Sequence, residues 1–183
     1  GELGGVDGDV AAVRLTGDIW ADSRNQLATW ITQHCAGGFR WHVSGDIFSD
    51  SHAEWIVNVC DFAPAVPFWL YTRSFAFVGL LGFADNLTVN LSADADNWEE
   101  ALACHQRTGA RLCYLTRDGS IPELPENSVI FPGYPLRGRD LADPTSSPWW
   151  QSLTPAQRKM VCYADAFGQS EERRCGPCTK CLE

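Results

Sequence analysis

No hydrophobic run in this chain approaches the roughly 20 residues that a bilayer crossing needs. The opening stretch, Gly-Glu-Leu-Gly-Gly-Val-Asp-Gly-Asp, also lacks the basic and apolar regions of a secretory leader, so a cytoplasmic location is expected. Positive charge is in deficit: 14 Lys and Arg face 23 Asp and Glu, for a net charge of −9. That balance argues against a large basic nucleic-acid footprint and favours small-molecule or protein partners, although Arg137, Arg139, Arg158, Lys159, Arg173 and Arg174 can form a local basic patch. Three common catalytic signatures are missing: the Gly-x-x-x-x-Gly-Lys phosphate loop, the Gly-x-Ser-x-Gly elbow and the His-Glu-x-x-His helix. Internal repeats and low-complexity tracts are absent too.

What is present is an ordinary globular composition: 183 residues, 45% hydrophobic and 20% charged, enough for one core. Four of the eight cysteines crowd the C-terminal end as Cys162, Cys175, Cys178 and Cys181, the last three at two-residue spacing. Four thiolates in so short a stretch can close a tetrahedral shell around zinc or ligate a [4Fe-4S] cluster. Gly176 and Pro177 suit the tight turn that aims sulfurs inward. Paired disulfides are the alternative in a secreted chain, but a reducing compartment points to metal. Zinc knuckles usually come as two separated Cys-x2-Cys pairs, whereas a two-residue triple is frequent among ferredoxin-type ligands. The spacing therefore favours [4Fe-4S], with Zn2+ as the alternative.

Strand and helix patterns alternate upstream. Expected strands are Val10–Thr16, Phe39–Ser44, Pro67–Tyr71, Leu87–Leu91, Ala110–Leu115 and Ser128–Phe131. Helical periodicity follows the first four, with capping boxes read at Ser23–Gln26 and Ser51–Glu54. The spacing predicts successive βαβ units: an α/β protein with a partial (βα)-barrel or open parallel sheet of about six strands over 1–132. Residues 133–183 then form a Pro-rich connection, a helix opened by the capping box Thr154–Gln157 and carrying Met160 and Cys162, and the cysteine segment. Trp149 and Trp150, being adjacent, are not expected to face one core together.

Polar residues gather where a parallel sheet presents ligands, at the carboxyl ends of the strands. They are Asp18, Ser44-Gly45-Asp46, Thr72-Arg73-Ser74, Ser92, Asp94, Asp96 and Thr116-Arg117-Asp118. Capping of the following helices is the competing explanation for the Asp and Ser residues. Glycine ahead of Asp18 and Asp46 allows close backbone approach to a ligand, and a guanidinium at Arg73 grips a carboxylate or phosphate with two bonds. Asp18, Asp46, Arg73 and Asp94 are the candidate catalytic residues, for a small anionic or nucleotide-like ligand. His34, His42, His52 and His105 show no ligand spacing and read as packing or surface residues. Cys35, Cys60, Cys104 and Cys113 read as small buried hydrophobes.

Four motifs then carry a resemblance: Trp41-His-Val-Ser-Gly-Asp-Ile-Phe-Ser49, Tyr71-Thr-Arg-Ser74, Leu91-Ser-Ala-Asp94 and the terminal cysteines. Over residues 10–181 the chain resembles a family of small, mostly uncharacterised bacteriophage proteins listed by gene-product number. Its members usually carry a further Cys-bearing segment before the first strand. The strand pattern with Ser44-Gly45-Asp46 is also similar to the partial barrel of radical S-adenosylmethionine enzymes. The loop after the first strand, Asp18–Asp22, has none of their cysteines, so radical chemistry is not implied. Cys162-Tyr163 with Cys175, Cys178 and Cys181 is similar to the zinc-binding end of the cyano-deazaguanine synthase of queuosine biosynthesis. The expectation is a phage iron–sulfur protein of the host cytoplasm with an anion site at the strand ends. The alternative is a nucleic-acid-binding or host-protein-binding phage protein on a degenerate enzyme scaffold, its cysteines holding structural zinc.

Overall fold

A computed structural model describes residues 17–42, 44–133, 136 and 143–168, with the backbone alone for 17–20 and 144. Its centre is a parallel sheet of β1 (Phe39–Arg40), β2 (Phe68–Thr72), β3 (Leu87–Ala93), β4 (Arg111–Thr116) and β5 (Val129–Pro132). The strands lie side by side in chain order and curl into a half-barrel. Phe39 stands opposite Phe68, Phe68 opposite Leu87, Asn90 opposite Arg111 and Cys113 opposite Val129, so every carboxyl end reaches one rim. The expected first strand, Val10–Thr16, lies outside the described residues. The other five expected strands are all present.

One sheet face is covered by helices. Phe68 and Leu70 pack with Ala53, Ile56, Val59 and Cys60 of α2 (Asp50–Phe62) and with Ala28 and Ile31 of α1 (Gly17–His34). After a single 3-10 turn (Phe75–Phe77), α3 (Val78–Leu81) precedes β3. Leu91, Ala93, Leu112 and Tyr114 pack with Ala101 and Cys104 of α4 (Trp98–Thr108). Such burial removes apolar surface from water at about 25 cal/mol per Å², which is what holds each helix on its strands. Cys60, Cys104 and Cys113 are buried as expected, and burial pushes the Cys60 thiol up to about 12. Asn86 ties the end of α2 to the start of β3, its amide nitrogen lying 3.0–3.1 Å from the carbonyls of Cys60, Ala63 and Val66.

Several boundaries differ from the sequence reading. Strand β1 stops at Arg40, not Ser44. Trp41 still donates its amide to the Trp69 carbonyl at 2.9 Å, but His42 takes φ +53° and turns the chain out of the sheet. Helix α1 starts at Gly17, so Ser23 lies inside it and caps nothing, and Asp18 sits in its first turn. Helix α2 is capped by Ser49, whose side chain accepts the His52 amide at 3.1 Å, two residues before the expected cap. The capping box at Thr154 is present with both reciprocal bonds and Pro155 at the first position. That helix ends at Met160, however, and Cys162 stands just before the next one, without a side-chain capping bond.

The described part of the C-terminal stretch packs on β5. A 3-10 turn (Pro144–Ser146) leads into α5 (Pro148–Ser152), α6 (Pro155–Met160) and α7 (Tyr163–Phe167). Val161 bridges Ile130, and Cys162 donates its amide to the Ile130 carbonyl at 2.8 Å. Trp149 and Trp150 are both buried in one cluster with Ile130, Leu153, Val161 and Ala166, contrary to expectation. Neighbours on a helix point about 100° apart, and this core wraps far enough around α5 to take both. Trp149 lies against Gly119, while Trp150 meets Phe167 at 5.0 Å and Tyr163 at 5.6 Å. No helix among the described residues is long and apolar enough to cross a membrane.

Candidate functional site at the strand ends

The ends of β1 to β4 share one series of hydrogen bonds and charge contacts along the rim. Asp46, in the loop after β1, accepts the Thr72 hydroxyl at 2.5 Å and the Ile47 amide at 2.8 Å on one oxygen, and the Arg73 amide at 2.7 Å on the other. Thr72 is the last residue of β2, so Asp46 fastens the first strand-end loop to the second. Ser74 repeats the tie in reverse, donating its hydroxyl to the Ile47 carbonyl at 2.7 Å. Gly45, just before Asp46, has φ +85°, which an L side chain rarely adopts. Nothing lies within 4 Å of where its Cβ would stand, so its use here is conformational rather than the close approach expected.

The Arg73 side chain continues the series, bonding Asp94 through Nη2 at 2.5 Å. Asp94 follows β3 directly and is buried, with 4% of its side chain exposed. Its other oxygen accepts the Asp96 amide at 3.1 Å, and Arg117, beyond β4, approaches to 3.7 Å. Burial by itself raises the Asp94 carboxyl, but the bonds from Arg73 and Asp96 and the two positive charges outweigh it and hold the group below its ordinary range. A carboxylate so held is a fixed anion rather than a proton carrier. Neither Asp46 nor Asp94 caps a helix: Ser49 caps α2, and Asn97 precedes α4 with its side chain bonded to the Asp94 amide and the Ser92 carbonyl.

Thus three of the four expected residues, Asp46, Arg73 and Asp94, stand together at one rim. The side chain of the fourth, Asp18, lies outside what is described. Of the expected metal ligands only Cys162 is described; Cys175, Cys178 and Cys181 lie outside, as do Arg137, Arg139, Arg173 and Arg174. Cys162 is buried in a cluster with Cys113, Val129 and Ala164. Arg158, expected in a basic patch, is turned inward to the carbonyls of Trp150 and Gln151, both at 3.2 Å. Among the described residues no three of His, Cys, Asp and Glu group closely enough to hold a metal ion.

Sequence reading passed over a second set of residues here. His42 and His52, dismissed for want of ligand spacing, meet edge to face with ring centroids 5.2 Å apart, because the φ of His42 swings its ring towards α2. Neither Nδ1 has a hydrogen-bond partner among the described residues. Burial lowers both imidazoles; the neighbouring His42 lowers His52 further, and Asp46 partly offsets the effect on each. Phe48, stacked on His52 at 4.3 Å, is 75% exposed. The one signal in the sequence was an aromatic residue standing in the polar loop between Asp46 and Ser49. A separate cleft of about 610 Å³ opens at the opposite, amino-terminal ends of β3 and β4, lined by His105, Arg107 and Arg111, and shares nothing with this rim.

Strand order, parallel pairing and a rim laced by carboxylate–arginine bonds define an α/β half-barrel protein with its polar site at the carboxyl ends of the strands. Within that class the chain belongs to the gene product 88 family, whose model matches residues 12–183. The match is consistent with the phage gene-product resemblance of the sequence motifs. No curated protein and no solved structure matches the chain.

Proposed function

We propose that this protein binds a small anionic or nucleotide-like ligand at the carboxyl rim of its half-barrel. The observation that carries this reading is the sharing of one buried carboxylate, Asp94 after β3, by two guanidiniums from the strand ends on either side of it, Arg73 after β2 and Arg117 after β4. Arg73 is half exposed and Arg117 is 70% exposed, so the carboxylate is sequestered while positive charge faces solvent. Each guanidinium carries five N–H donors in a rigid fork, more than Asp94 can use, and the remainder suit a carboxylate or phosphate. Titration with inorganic phosphate and pyrophosphate tests it: Arg73→Gln is expected to weaken binding at least tenfold with the fold retained. Wild-type protein that binds neither anion overturns the reading. A host protein captured by pull-down on such a non-binding rim supports the degenerate-scaffold alternative, and DNA binding that falls steeply with salt supports the nucleic-acid alternative.

The four C-terminal cysteines are proposed, as a second element, to hold a [4Fe-4S] cluster, or Zn2+ in the alternative. The supporting observation is that Cys162 is fixed, its amide bonded to β5 and its side chain in a buried cluster, giving one thiolate a stationary place. Bound there, a cluster supplies electron transfer or a rigid staple for the chain end. Anaerobic purification with metal analysis decides the matter. A brown protein absorbing near ~400 nm is expected, with the metal lost in Cys178→Ser. A colourless protein holding one zinc removes the cluster.

A further inference from the structure

The aromatic residues beside the rim point to the kind of anion. Phe48 sits one residue beyond Ile47, whose carbonyl takes the Ser74 hydroxyl and whose amide bonds Asp46, so its loop is fastened to the segment bearing Arg73. Single exposed aromatics are common on protein surfaces. This one differs in being held. One ring face lies on His52 at 4.3 Å; His52 meets His42 at 5.2 Å; His42 lies 6.4 Å from Trp41, which is buried against Phe68 and Trp55. The series runs from the core outward and ends on a ring 75% open to solvent. A planar π-face kept rigid and exposed is a platform for another planar ring.

We propose that the rim takes a mononucleotide, its base stacked on the open face of Phe48 and its phosphate held by Arg73 and Arg117. This rests on the anion-binding reading above and narrows it to a substrate class. Adjacent strands lie about 4.8 Å apart, so the platform after β1 and the guanidinium after β2 are neighbours, with the sugar bridging them. Two forked guanidiniums meeting at one buried carboxylate suit a doubly charged phosphate better than a single carboxylate. The net charge of −9 disfavours a long polyanion, which leaves the free mononucleotide.

Calorimetric titration of the full chain with adenosine monophosphate, ribose 5-phosphate and inorganic phosphate tests the assignment. The expected result is a preference of roughly tenfold for the monophosphate over ribose 5-phosphate, the scale of one base–aromatic stack. Phe48→Ala abolishes that preference without changing affinity for ribose 5-phosphate, and Phe48→Trp restores it. Arg73→Gln weakens all three ligands. Equal binding of the two sugar phosphates, or a preference that survives Phe48→Ala, overturns the base platform while leaving anion binding intact. Failure of wild-type protein to bind any of the three overturns both readings together.

Discussion

Asp46 takes the main-chain amide of Arg73 at 2.7 Å, joining two strand ends through backbone as well as side chain. The carboxylate therefore faces three donors, two amides and one hydroxyl. Asp46→Asn places an NH2 group against at least one of them. The expected cost is about 1–3 kcal/mol, the range for a polar group left facing the wrong partner. Urea denaturation reads it directly. This exceeds what an unattached rim residue costs, which is generally within about 0.5 kcal/mol.

Asp94→Asn removes the shared anion and is expected to cost about 1–2 kcal/mol at pH 7, low in the range for charged bonds because Arg73 is half exposed and screened. The folded-state pKa of Asp94 is depressed, so this contribution is full above the unfolded value of about 3.9 and is lost as pH falls through the folded value. The gap between wild type and variant should accordingly close in acid. A gap of equal size at pH 7 and near pH 3 contradicts the assignment.

The two histidines act in the opposite range. Both are lowered, so the unfolded chain binds more protons than the folded one just below the ordinary value of about 6.5. Stability should rise with pH through that region and flatten above it. His52→Gln is expected to reduce the slope, measured as unfolding free energy from pH 5 to 7.5; an unchanged slope refutes the role given to the pair.

Gly45→Ala isolates the cost of backbone conformation, since an added Cβ meets no atom within 4 Å at φ +85°. About 1 kcal/mol of destabilisation is expected from the left-handed conformation alone. Thermal unfolding checks it, with Gly37→Ala as the comparison, where the site is equally open and φ is not positive.

The sheet was legible because its signals are local. Runs such as Phe68–Thr72 carry alternating burial and sit at βαβ spacing, and the residues beyond the strands, Asp46, Arg73 and Asp94, had to share a rim once the strands ran parallel. What escaped was set by conformation. The positive φ of His42 both shortened β1 and brought two histidines together, and no periodicity encodes such a turn. Asp18 through Asp22 carries no breaker, so α1 ran through the capping box expected to start it. Arg117, two strand positions from Arg73, gained its part only through the carboxylate of Asp94 between them, a relation that exists in the folded sheet alone.

The strictly consecutive strand order bears on how the molecule is made. Among the described residues every strand pairs with the one synthesised just before it, so each loop closed is short and its entropic cost modest. Each unit can dock as it leaves the ribosome, with none of the five described strands waiting for a distant partner and little time for an unpaired edge to meet another chain. Assembly then advances in the direction of translation. Asp46 acquires the Arg73 amide only when the second strand is in place, Asp94 acquires Arg117 only after the fourth, and the rim is completed one contact at a time behind the growing end.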